Sequence, residues 1–120
     1  MFNNIQLLQL QLCVEHIETI ETYLNNISDS EDLFVKDDGV YYDAVLMRLQ
    51  ALCESLKKLN INSPVIIIAL KYPHIDDLIK FRDLVSHHYE KLKHEIIYDI
   101  CTTELPLLKG CINKFINESG

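Results

Sequence analysis

The sequence predicts an all-α fold: an antiparallel up-and-down bundle of four to five main helices, in a single domain over residues 1–120. Apolar side chains make up 48% of the 120 residues, enough for one core and too few for two. Only three Gly and three Pro occur, whereas a β-sandwich or barrel of this length would need many more turn residues. Along several long stretches apolar residues recur in steps of three and four, the spacing that gathers them on one side of a helix.

Taken in order, Ile5, Leu8, Leu12, His16, Ile20, Leu24 and Ile27 form the stripe of a long first helix, opened by Asn3 or Asn4 as its cap. Residues 28–39 (SDSEDLFVKDDG) are polar and acidic, and predict a connection holding at most a helical turn. They lack the spacing and the closing Glu of a calcium loop. Tyr42, Val45, Leu49, Leu52, Leu56 and Leu59 mark a second helix that ends near Asn60–Asn62. Ser63–Pro64 then supplies an N-cap and a first-turn proline for a short buried helix over Val65–Leu70. Tyr72–Pro73 breaks it. The next helix runs from about Ile75 to Leu92, with Leu78, Phe81 or Arg82, Val85 and Tyr89 along one side. Ile96, Ile97 and Ile100 continue helically to Cys101. Thr103 is read as the cap of a last helix whose apolar face is Leu105, Leu108, Ile112 and Phe115 or Ile116.

Several function classes fall away at once. The formal charge is -7, which argues against coating nucleic acid or an anionic membrane by bulk charge. The longest apolar run, VIIIAL at 65–70, is about a third of the roughly 20 residues a membrane helix needs. The opening MFNNIQLLQLQLCVEH has no basic start and reads as an amphipathic helix, so the expected location is the cytoplasm, with no membrane partner. Cys13, Cys53, Cys101 and Cys111 lie singly, with no CxxC pair, and predict buried reduced thiols.

The charge is uneven. Residues 1–54 hold ten acids against Lys36 and Arg48, which suggests a solvated outer face and a docking surface for a basic partner. Residues 80–94 (KFRDLVSHHYEKLKH) instead gather Lys80, Arg82, Lys91 and Lys93 with three of the five histidines, His87, His88 and His94. Cationic and titratable groups so concentrated suit phosphate contact; a solvated helix face is the plainer reading of the same composition. No metal is expected. His87 and His88 point about 100° apart on a helix, and Asp83–His87 is one pair without a third ligand.

The segment RDLVSHHY, Arg82 to Tyr89, fits an RxxxxHxY pattern. With GVYYDAVLMRLQALCE at 39–54, YPHI at 72–75, IYD at 97–99 and ELPLLK at 104–109, it resembles the HepT-like toxins of the HEPN superfamily of all-helical ribonucleases. That resemblance, which follows the whole chain in order, implies an RNA endonuclease needing neither metal nor cofactor. It would work as a homodimer, with Arg82 and His87 as the catalytic pair. Arg82 would hold the phosphate oxygens and His87 would move the proton. Tyr89 matches the tyrosine to which a cognate minimal nucleotidyltransferase antitoxin (MntA-type) attaches AMP, in a type VII-like toxin–antitoxin system. Asp83 fits the polar residue after the arginine, and Lys80, Ser86 and His88 are candidates for supporting or contacting RNA, either tRNA or mRNA. Two departures from the family pattern stand out: Cys53 where Gly is usual, and EKLK at 90–93 after the motif. The same fold also serves non-catalytic nucleotide-binding partners of nucleotidyltransferases, which stays as the alternative.

Helical geometry adds a constraint. Tyr89 falls about 20° from Arg82 around a regular helix, but His87 falls about 140° away. Either the helix is distorted near Ser86, or Arg82 of one copy works with His87 of another.

Overall fold

The computed structural model describes residues 2–87 and 93–119, with only the backbone described for 84–87 and for Ser119. Among these residues the chain is helical and without strands: α1 (Asn4–Leu24), α2 (Ser30–Val35), α3 (Val40–Asn62), α4 (Pro64–Leu70), α5 (Ile75–His87), α6 (His94–Asp99) and α7 (Leu105–Ser119). Four are long and three are short, an all-α bundle as the composition predicts.

Helix α1 begins on a capping box. Asn3 Oδ1 accepts the Gln6 backbone N–H at 2.8 Å, and Gln6 Oε1 accepts the Asn3 N–H at 2.9 Å. Its buried residues are Leu10, Cys13, His16, Ile17 and Ile20. The expected stripe is therefore rotated: Ile5, Leu8 and Leu12 face out, and the helix ends at Leu24 before Ile27. The cause lies in the sequence, where leucines occupy positions 7, 8, 10 and 12. They surround the first turns, so spacing alone cannot select the buried side.

The connection holds more helix than expected. Asp29 caps the six-residue α2 by accepting the Asp32 N–H at 2.8 Å, and a 3-10 turn follows over Lys36–Gly39. Asp37 and Asp38 carry φ of 51° and 56°, and Gly39 carries 84°. Three left-handed residues in a row reverse the chain sharply into α3.

Helix α3 is the centre of the bundle. Tyr42, Val45, Leu49, Leu52, Leu56 and Leu59 are all buried, as the spacing predicts. It packs on both α1 and α5. Gln6 Nε2 donates to Ser63 Oγ at one end of the α1–α3 pair, and His16 meets Arg48 near its middle, so the two run antiparallel. Leu49, Leu52 and Leu56 are fully buried there, and each such side chain contributes about 1.5–3 kcal/mol.

Helix α4 starts with Pro64 as expected and buries Ile66, Ile67 and Leu70, while Val65 and Ile68 face solvent. It is thus a half-buried helix. Lys71, with φ 59°, ends it. Thr103 does not cap a separate helix, which corrects the sequence reading. Residues Ile100–Glu104 form a π-helical turn that carries α6 into α7 without a break. The Thr103 hydroxyl donates instead to Asp99 Oδ1 at 3.3 Å. A π turn inserts one extra residue into a helix, and it lets α6 lie against α2 while α7 lies against α1. Lys109 Nζ, 2.7 Å from Glu21 Oε1, and Phe115, its ring tilted against Phe2 with centroids 5.5 Å apart, tie α7 down.

Candidate functional site: Arg82 at the α3–α5 edge

Helix α5 faces the core through Leu78 and Phe81. Arg82 follows Phe81 by one position, about 100° around the helix, and so leaves the core at its margin. There it meets α3. Arg82 Nε lies 2.5 Å from Glu54 Oε2, and Arg82 Nη1 lies 3.1 Å from Asp83 Oδ1. The same Asp83 oxygen is 3.8 Å from Lys57 Nζ. Four charged side chains from two helices thus make one chain of ion pairs: Glu54, Arg82, Asp83, Lys57.

Arg82 and Glu54 also line a shallow groove of about 280 Å³, with Met47, Gln50 and Ala51 one and two turns back along α3. The Asp83 hydrogen bond and then the Glu54 charge raise the Arg82 pKa further. It stays protonated at any working pH. Such a group can bind an anion but cannot shuttle a proton.

The other expected site residues divide into four sets. Asp83 joins Arg82 in the ion-pair chain. Lys80 is exposed on α5, about 200° around the helix from Arg82. Ser86 and His87 have their backbone on α5, and their side chains lie outside what is described. His88 and Tyr89 lie outside the described residues, as does the expected extension of this helix to Leu92. His94, the third histidine of the motif stretch, is engaged elsewhere. Its ring stacks on Phe34 at 4.5 Å, and its Nε2 lies 3.1 Å from Glu95 and 3.3 Å from Glu31. It anchors α6 to α2.

Glu54 and Lys57 are the residues that the spacing of α5 could not reveal. Glu54 does close the segment at 39–54 that carries the family resemblance, and Lys57 lies three residues beyond it. Cys53, in the position where Gly is usual, is fully buried beside Glu54. Burial pushes its thiol up to about 12, so it fills space and carries no chemistry at neutral pH.

Other grooves are larger. One of about 330 Å³ lies over the π turn, where the Tyr72 hydroxyl donates to Glu104 Oε1 at 2.5 Å beside Asp77 and Asp99. Burial and that hydrogen bond raise the Tyr72 pKa. Another of about 420 Å³ runs between Lys71, Cys111 and Lys114. Size does not select a site here. Among the described residues no three His, Cys, Asp or Glu side chains converge as metal ligands, and no helix is long and apolar enough to cross a membrane.

The family described as HepT-like, Ribonuclease HepT-like, matches residues 14–115. The chain belongs to the HepT-like ribonuclease family. The match takes in α3, α5 and the RxxxxHxY segment at 82–89. No curated protein and no solved structure matches the chain.

Proposed function

We propose that this HepT-like protein is a metal-independent RNA endonuclease, the toxin of a two-protein system, and that it cuts RNA with Arg82 and His87. The observation that carries this reading is the family match over 14–115 with the full Arg82–His87–Tyr89 set inside it. In the reaction a ribose 2′-oxygen attacks the adjacent phosphorus and the bond to the 5′-oxygen breaks. The products are a 2′,3′-cyclic phosphate and a 5′-hydroxyl. The imidazole of His87, whose ordinary pKa is about 6.5, takes the 2′ proton or returns one to the leaving oxygen. Arg82 sits at the edge of an open groove, where a guanidinium can meet the non-bridging oxygens and offset the charge developing on them.

Since a regular helix separates Arg82 and His87 by about 140°, we place each working pair across a two-fold homodimer, one residue from each copy. AMP attached to Tyr89 by a minimal nucleotidyltransferase would put a bulky anionic phosphodiester beside Arg82 and keep RNA out, which is how the partner silences the toxin. The cytoplasm holds both its substrate, tRNA or mRNA, and that partner.

The test uses purified, unmodified protein and total tRNA or mRNA in EDTA. Cleavage leaving cyclic-phosphate ends is expected, and Arg82→Ala or His87→Ala should abolish it with the oligomeric state unchanged. Cleavage that survives both substitutions sinks the mechanism. Nucleotide binding without any cleavage would favour the non-catalytic partner subunit.

A further inference from the structure

We infer that Glu54 on α3 is a positioning residue for Arg82: it holds the Nε edge of the guanidinium and so sets the plane in which Arg82 meets phosphate. This rests on the proposed ribonuclease reading and goes beyond it, since Glu54 touches no substrate. Three observations carry it. Arg82 Nε and Glu54 Oε2 are 2.5 Å apart, across two helices and 28 positions of chain. The two facing atoms are shut off from water, while the side chains as wholes are about one-third exposed, 31% and 35%, so the contact is sheltered and the rest of each group reaches the groove. Both line the same solvent-open groove with Met47, Gln50 and Ala51.

A guanidinium is a flat fork of five N–H donors, and its usefulness toward phosphate depends on where the fork points. A carboxylate on the Nε edge fixes the last side-chain torsion and leaves recognition to the Nη edge. Asp83 holds that edge at Nη1 from an exposed position, and Lys57 lies 3.8 Å from the same Asp83 oxygen. A phosphate entering the groove therefore competes with Asp83, whose carboxylate has Lys57 as another cation. Glu54, on the far edge, stays in place. Asp83 is the exchangeable partner and Glu54 the fixed one.

The test compares wild type, Glu54→Gln, Arg82→Lys and the double variant in single-turnover cleavage of a short RNA, together with binding of its non-cleavable 2′-deoxy analogue. Glu54→Gln is expected to lower the saturated cleavage rate about tenfold or more, because a misaimed group loses its share of the transition state. Affinity for the analogue should change less than about threefold, and melting temperature should not follow the rate. Arg82→Lys has no Nε edge, so the double variant should be no slower than Arg82→Lys alone. A Glu54→Gln enzyme that cuts at the wild-type rate, or losses that multiply in the double variant, overturns the inference. A purely structural role would move melting temperature and rate together and overturns it too. If wild type cuts no RNA, the ribonuclease reading has failed and the positioning role is judged by nitrogen-15 NMR of the arginine side chains. A slowly exchanging Arg82 Nε–H signal that vanishes in Glu54→Ala supports it, and one unchanged in that variant overturns it.

Discussion

Arg48 Nη1 lies 3.2 Å from His16 Nδ1, joining α3 to α1 through an imidazole that is only 8% exposed. A guanidinium can only donate, so Nδ1 must accept, and the ring is the neutral tautomer protonated at Nε2. Burial first, and the Arg48 charge second, push the His16 pKa below its ordinary value.

A pH dependence of stability follows. The unfolded His16 titrates near its ordinary pKa of about 6.5, and the folded one lower, so below that pH the unfolded chain binds more protons. The stabilisation from this site is complete above pH about 6.5 and fades as pH falls through the folded value. Urea midpoints should drop between pH 7.5 and 5.5, and His16→Gln should drop less over the same window. Equal slopes in the two proteins would remove His16 as the cause.

The thiols should sort by depth. Cys13, Cys53 and Cys101 are buried in the core, and burial pushes each thiol up to about 12; Cys111 is half-buried on α7. One equivalent of thiol per chain should react quickly with DTNB in the native protein and the other three only on unfolding. Cys111→Ser should erase the fast phase.

Core and surface substitutions should separate cleanly. Leu49 is fully buried on α3, so Leu49→Ala is expected to cost about 2–5 kcal/mol in urea unfolding. Ile68 on α4 is 76% exposed, and Ile68→Ala should stay within about 0.5 kcal/mol of wild type. A similar loss at both positions would mean that α4 packs its outer face in solution.

The reversal before α3 should resist any side chain with a Cβ. Gly39 has φ 84°, where Gly pays no steric cost and Ala costs roughly 1 kcal/mol or more. Thermal melting should show Gly39→Ala below Gly39→Asn, since Asn tolerates this region better.

The sequence made α3 legible and α1 only half so, for a physical reason. Along α3 polar residues separate the apolar ones, so one face stands out, and each expected residue proves buried. Along α1 the leucines go round the helix, and the buried side is fixed by what α3 and α7 present to it. The π turn had no local signal, and Thr103 before Glu104–Pro106 imitates a helix start. At the site, the motif spacing finds Arg82 and Asp83 because both stand on α5. It cannot find Glu54, because an ion pair between helices leaves no periodicity in the chain.

The π-helical turn at Ile100–Glu104 acts as a rotational setting for the end of the chain. Tightening that turn to regular pitch with all its residues kept would swing everything beyond it by about 100°. Lys109 would leave Glu21, Phe115 would leave Phe2, and the first helix would lose its cover. A change in the pitch of a single turn, with no change in hydrophobicity, would thus undock the fifteen residues of α7, Leu105–Ser119, as a unit.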